Sequence, residues 1–154
     1  MRKILSKVGR VSKWAIVGAI KGTGDTAESI VKATRDVLMT TVEGVTQISV
    51  TIEKSVGQII SGAVEAAMDA GEDIGLAIKS SVKGVVKGSA EVGGDVAKAA
   101  SMAVESAAQA AGDMGQDTAK AIEQATKGAI EAAEEVSSET ANAVRNVLKS
   151  TVGK

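Results

Sequence analysis

Apolar positions recur along this chain with a period of 11 residues, and two such periods make a unit of 22. The segments TTVEGVTQ (40–47) and GAVEAAMD (62–69) keep the same outline of apolar and polar positions one unit apart. Units of this length fill residues 18–149 without an insertion or a deletion. Eleven residues are close to three turns of α-helix, so each column of side chains keeps a constant direction along a nearly straight or slightly right-handed helix. The pattern predicts an all-α protein.

The unbroken phase of the repeat predicts one long helix. At 1.5 Å per residue, the repeat region would form a rod of about 200 Å. We expect such helices to assemble laterally as a hendecad coiled coil, a tube or a filament. A hairpin at Gly22/Gly24 or at Gly93/Gly94 is the competing interpretation, and it would need loop residues that break the phase.

The same pattern divides the chain into three parts. A basic amphipathic segment covers residues 1–17, the repeats cover 18–149, and a short tail covers 150–154. Residues 47–56 alternate like a β-strand, yet they lie in phase with helical repeats on both sides. We therefore predict that they are helical.

One column of the predicted helix consists only of Gly, Ala and Ser. Its members are Gly22, Ala33, Gly44, Ser55, Ala66, Ala77, Gly88, Ala99, Ala110, Ala121, Ala132 and Ala143. With its neighbours, this column makes an apolar arc of roughly 160°, which is wider than the seam of a two-stranded coiled coil. Small residues allow helix backbones to approach closely, whereas a surface that faces lipid would gain more from Leu or Phe. We expect the column to pack against other copies of the chain.

Two adjacent columns on one flank contain acidic residues and no basic ones. The acidic residues are Asp25, Asp36, Asp69, Asp73, Glu91, Asp95, Asp113, Asp117, Glu135 and Glu139. Many lie four residues apart, where like charges mildly destabilise an isolated helix. The flank is therefore either a solvated face or the binding surface for a partner, such as the more basic flank of another copy. That contact would be heterologous and would propagate around a ring or along a filament.

The first 17 residues are basic and amphipathic. They contain no acidic residue, and the side chains that suggest a surface-binding or capping segment are Arg2, Lys3, Lys7, Arg10, Lys13 and Trp14. A basic amphipathic helix with a Trp at its edge is typical of helices that lie on anionic membranes. The alternative is a capping turn whose apolar face joins the same assembly as the repeats.

Targeting signals are weak in this sequence. The N-terminal segment has no clear cleavage site, and no stretch approaches the roughly 18 consecutive apolar residues that a membrane span requires. We expect a cytoplasmic or membrane-peripheral location.

Composition argues against catalysis and against nucleic acid as a partner. The chain has 18 basic and 19 acidic residues, so it lacks the net positive charge typical of nucleic-acid binding. It has no Cys and no His, which removes the usual soft metal ligands and the commonest general base. GTGDTAES (22–29) lacks the strand and the Lys of a phosphate loop. We expect no enzymatic activity, no cofactor and no metal site.

The repeats resemble those of several families in their pattern. TVEGVTQ (41–47) and the 11-residue period resemble the repeats of synucleins and, more loosely, of perilipins, which form long helices on lipid surfaces. DTAKAIEQATKGAIEAAEE (117–135) is similar in style to group 3 late embryogenesis abundant proteins, which are associated with desiccation protection. The period also resembles that of hendecad coiled coils.

Three functions follow from these observations. The first is a structural protein that self-assembles into a bundle, tube or filament, with copies of itself as partners. The second is a peripheral protein of anionic lipid surfaces, and the third is a stress protectant.

Overall fold

The computed structural model describes residues 7–22 and 24–152 of the chain. This part of the chain contains α-helices and no β-strand. The helices are α1 (Lys7–Lys21), α2 (Thr26–Val42), α3 (Ile48–Ala70), α4 (Ile74–Glu91), α5 (Val96–Asp113), α6 (Thr118–Val136) and α7 (Ser138–Val152). The all-α prediction is confirmed, but the described residues form a bundle of seven helices and not the single long helix that we predicted.

A repeated glycine turn ends three of the helices. Gly71, Gly93 and Gly115 follow one another at intervals of 22 residues and have positive φ angles of 71°, 77° and 72°. This left-handed conformation favours Gly, and it allows the next residue to cap the preceding helix. The backbone N–H of that next residue donates to the carbonyl five residues earlier: Glu72 to Ala67 (2.9 Å), Gly94 to Ser89 (2.8 Å) and Gln116 to Ala111 (2.7 Å).

An aspartate begins the next helix two residues after each of these glycines. The Oδ1 atoms of Asp73, Asp95 and Asp117 accept hydrogen bonds from backbone N–H groups in the first turns of α4, α5 and α6. Asp25 caps α2 in the same way. These bonds satisfy donors that a helix cannot satisfy internally. The Gly-X-Asp sequence is therefore a stop signal followed by a start signal.

The length of these helix and turn units explains why the apolar pattern predicted a rod and did not reveal the breaks between helices. Helices α4 and α5 are each 18 residues long, and a short turn after each brings the start of the next helix 22 residues further on. A helix plus its turn is thus as long as two 11-residue periods, and the apolar pattern keeps its phase across the break. The chain turns at both places where the hairpin alternative put a break, since α1 ends at Lys21 and α4 ends at Glu91.

The helices form two rows. In the first row α1 packs against α3, α3 against α5 and α5 against α7, while in the second row α2 packs against α4 and α4 against α6. Consecutive helices connect the rows, and within the described residues no helix packs against one more than two places away in the chain. Contacts restricted to near neighbours are the defining property of α-helical solenoids.

Helices within a row cross at glycines. A Cβ atom on Gly84 of α4 would lie 2.6 Å from the carbonyl oxygen of Val31 and from Cβ of Thr34, both on α2. Gly62 meets α1 in the same way, and Gly128 meets α4. These three glycines occupy the first position of their 22-residue units.

The interior is built from aliphatic side chains. The only aromatic residue of the chain, Trp14, lies outside the core with 66% of its surface exposed. Ile and Leu side chains fill the interior around α1 to α4, whereas the buried residues of α5 and α6 are mostly Ala. An interior of such small side chains is consistent with close approach of the helix backbones.

Candidate interaction surface on the first helix

The small column predicted from the sequence lies mostly inside the chain. Ser55, Ala66, Ala77, Gly88, Ala99, Ala110, Ala121 and Ala132 are buried. Ala33 is half-buried, and Gly22, Gly44 and Ala143 are exposed. The neighbours of the buried members are other helices of the same chain, so another copy would have to bind elsewhere.

Most acidic residues of the flank either cap a helix or pair with a basic side chain. Asp25, Asp73, Asp95 and Asp117 cap helices. Asp36 and Glu91 pair with Arg35, Asp69 pairs with Lys13, and Glu135 pairs with Lys83 and Lys87. Asp113 ends α5 and Glu139 lies in the first turn of α7, and both are exposed. The flank is therefore not one continuous face.

The acidic pairs spaced four residues apart do not lie on one helix. Each pair spans a break, as in Glu91 at the end of α4 and Asp95 at the cap of α5. The repulsion expected on an isolated helix does not apply to them. Glu91 and Glu135 instead pair with basic side chains of the adjacent helix in their row. Glu131, which is not part of the flank, does the same, and its 3.0 Å contact with Lys79 lowers the pKa of Glu131.

The inward face of α1 is fixed to α3 by close backbone contact. Gly9, Ser12 and Ile16 are buried, and Ser12 Oγ donates a 2.9 Å hydrogen bond to the carbonyl oxygen of Ile59. Gly62 leaves the space into which Gly9 and Ser12 fit. The residues that sequence reasoning missed here are small ones, and the signal that could have found them is the Gly at the first position of the repeat unit.

Lys13 adds ionic contacts at the edge of this interface. Its Nζ lies 2.7 Å from Asp69 Oδ2 and 2.9 Å from Glu65 Oε1 of α3. Hydrogen bonds to Asp69 and then to Glu65 raise the pKa of Lys13 above its ordinary value. The Nζ also lies 5.8 Å from the ring centroid of Trp14, within the range of a cation–π contact. The orientation of α1 on α3 is thus fixed by charge as well as by packing.

The outward face of α1 carries apolar side chains among basic ones. Trp14 is 66% exposed and Val11 is 51% exposed. Lys7, Arg10 and Lys21 are also exposed, and at 100° per residue they align with Trp14 along the helix. We call these five residues the α1 surface. Arg2 and Lys3 lie outside the described residues.

The apolar part of the α1 surface is unusual for this molecule. Across residues 7–22 and 24–150, the other exposed large hydrophobic residues are Val50 on α3 and Val136 on α6. Each of these lies alone on its helix, whereas Val11 and Trp14 are neighbours on one face. Helix α1 contains four basic residues and no acidic residue.

Two other kinds of site are absent from the described part of the chain. None of the described helices combines the length and the apolar character needed to cross a membrane. Among the described residues no group of three or more metal-ligating side chains could hold a metal ion. The α1 surface is therefore the candidate that the geometry favours.

The chain matches no known protein-family model and no curated protein sequence.

Proposed function

We propose that this protein binds anionic lipid surfaces peripherally through the α1 surface. The observation that carries the proposal is the position of Trp14, which is the only aromatic residue of the chain and lies exposed in a row of basic side chains. Amphipathic rings favour the headgroup region of a bilayer, where one end of the ring is apolar and the other is wet.

Electrostatic attraction supplies the second contribution. Each Lys or Arg near an anionic bilayer contributes about 1 kcal/mol, and the α1 surface offers Lys7 and Lys21. Lys13 is engaged with α3 and helps to hold the helix in place. The resulting affinity is modest and reversible, and it depends on salt because exposed charges are screened.

The fold also explains why lipid is favoured over lateral packing of rods. The wide apolar face that predicted such packing is covered by the chain's own helices. Among the described residues few large apolar side chains are exposed, and the neighbouring pair lies where the charge is positive. An anionic lipid surface could contact both the exposed apolar pair and the basic side chains beside it.

The test is vesicle binding read by tryptophan fluorescence, since Trp14 is the single source of this signal. We expect the emission to shift to the blue with vesicles that contain phosphatidylserine, and to shift little with pure phosphatidylcholine vesicles. Raising the salt from about 0.1 M to about 1 M shortens the screening length from about 10 Å to about 3 Å and should release the protein.

Co-sedimentation of variants identifies the surface. Trp14→Ser should weaken binding to the anionic vesicles about tenfold, the equivalent of about 1.4 kcal/mol. Val136→Ser is the matched control, because it removes an exposed apolar residue from another helix. Equal loss in both variants, or equal binding of the wild type to both kinds of vesicle, would contradict the proposal.

A further inference from the structure

We propose that the α1 surface also docks into an acidic groove on a second copy of this chain. The groove lies where α2 ends, α3 begins and α4 ends, and no described residue of α1 lines it. Its lining residues are Asp36, Met39, Thr40, Val42, Glu43, Ile48 and Val92. This inference uses the α1 surface but does not depend on lipid binding.

The floor of the groove is apolar and partly open to solvent. Val42 is buried, whereas Met39, Ile48 and Val92 are half-buried. The groove has a volume of about 700 Å³. Pockets of about 300 to 1,000 Å³ accommodate drug-sized groups, so this groove can take apolar side chains as large as that of Trp14.

The rim of the groove is negative. Asp36 and Glu43 carry carboxylates at the edge, and both are exposed. Two helices end here, α2 at Val42 and α4 at Glu91, and neither has a basic residue in its last turn. The carbonyl ends of these two helices carry a partial negative charge, which the positive N-terminus of α3 offsets only in part, so the helix ends add to the charge of the carboxylates. Arg35 pairs with Asp36 and Glu91, so Glu43 is the carboxylate of the rim that best fits an incoming cation.

Charge complementarity identifies the occupant. The α1 surface combines Trp14 and Val11 with Lys7 and Lys21, which match an apolar floor with a negative rim. A symmetric contact between two α1 surfaces would bring like charges together, which opposes association. A contact between α1 and the groove joins two different surfaces of the chain, so it is heterologous and leaves a free surface at each end.

Lipid and a second copy would then compete for one surface. Anionic vesicles should dissociate the assemblies, because a chain whose Trp14 lies in the bilayer cannot place that side chain in the groove of a second copy. Conversely, the fraction of chains with an accessible α1 surface should fall as the protein concentration rises. The copy contact is expected to be weak, since the matching surfaces are small.

The experiment is sedimentation velocity on the full-length chain without lipid, from about 10 µM to about 1 mM, the range of weak protein contacts. We expect the sedimentation coefficient to increase with concentration at low salt, and to increase less at about 1 M salt. A wild-type chain that stays monomeric throughout would overturn this inference and leave the lipid proposal intact.

Charge-reversal variants locate the contact. Glu43→Lys should weaken association about tenfold without weakening vesicle binding, whereas Trp14→Ser should weaken both. Asp113→Lys is the matched control, because Asp113 is also exposed at the C-terminal end of a helix. Lys at that end of a helix interacts favourably with the helix dipole, so neither charge change should hinder folding.

A mixing experiment completes the test. Lys7→Glu should also weaken association, and a mixture of Lys7→Glu chains with Glu43→Lys chains should associate more strongly than either variant alone, because the reversed charges match again. Wild-type association in Glu43→Lys, equal loss in Asp113→Lys, or no gain on mixing would each exclude the groove as the docking site.

Discussion

At the scale of single residues, glycines at the same repeat position have different roles in different units. Gly18 and Gly84 both begin a 22-residue unit and both lie within a helix. A Cβ atom on Gly84 would meet α2, whereas a Cβ atom on Gly18 would have no neighbour within 4 Å. Only Gly84 is required for packing.

We predict effects of opposite sign for Ala at these two positions. Gly84→Ala should lower the free energy of unfolding by about 1–3 kcal/mol, because α2 and α4 must move apart. Gly18→Ala should raise it by about 0.5–1 kcal/mol, because Ala loses less backbone entropy in a helix. Urea titration followed by circular dichroism measures both, and changes of the same sign would mean that the α2–α4 crossing is wrong.

Lys13 provides a second prediction at this scale. Lys13→Met should lower the free energy of unfolding by about 1–3 kcal/mol, because it removes a cation that contacts the nearly buried carboxylate of Glu65. Lys127→Met is the control, since the Lys127 pair with Glu123 is exposed and spans one turn of one helix. That variant should change stability by less than about 0.5 kcal/mol.

The contribution of Lys13 should depend on pH in a defined direction. Its pKa in the folded protein is raised above the ordinary value of 10.5. The stabilisation is therefore complete below pH 10.5 and is lost as the pH rises through the folded-state pKa. The difference in unfolding free energy between wild type and Lys13→Met should shrink over that alkaline range, and a constant difference would indicate that packing alone holds α1.

At the scale of helices, Gly-X-Asp turns define the ends of the elements. Gly93 has a left-handed backbone, and Asp95 accepts a 3.1 Å hydrogen bond from the backbone N–H of Lys98. Both residues would be ordinary interior positions in a continuous helix. The seven-helix bundle and a single continuous helix therefore predict opposite effects for the same substitutions at Gly93 and Asp95.

We expect Gly93→Ala to destabilise the protein by about 1–2 kcal/mol, the cost of a left-handed conformation for an L-residue. Asp95→Ala should cost about 1 kcal/mol through loss of the helix cap. In a continuous helix both changes would be stabilising, because Ala has the highest helix propensity. Thermal unfolding of the two variants distinguishes these cases by the direction of the shift in melting temperature.

At the scale of the whole molecule, contacts between near neighbours give two rows of helices in place of a rod. Packing within each row depends on the glycine crossings and on ion pairs between helices, such as the contacts of Lys83 and Lys87 with Glu135. The first helix contributes one face to this packing and presents the other to solvent. The α1 surface exists because the chain folds back on itself.

The radius of gyration tests this architecture directly. A compact chain of 154 residues should give a value of about 15 Å by small-angle X-ray scattering at low concentration. A straight rod of about 200 Å would give about 57 Å. A value near the larger figure, measured on monomeric protein, would restore the single-helix prediction.

Parts of the candidate site could be predicted from the sequence. The basic residues of the N-terminal segment and the position of Trp14 at the edge of an apolar stripe are visible without a structure. Which face of α1 packs inward is not, because Val11 and Trp14 have the helical spacing expected of core residues. The small residues Gly9 and Ser12 take the inward positions because Gly62 admits them closely.

The sequence by itself determined that the chain is helical and which columns are apolar, because an 11-residue period keeps side chains in fixed directions around a helix. The tertiary structure showed where the helices end, since α2, α4 and α5 with their turns each have the length of two periods and leave the pattern unchanged. It also decided that the small column is covered by the chain itself and that Trp14 faces outward. The last two outcomes depend on contacts between residues far apart in sequence, which the period does not specify, whereas the helix ends follow from the local Gly-X-Asp turns.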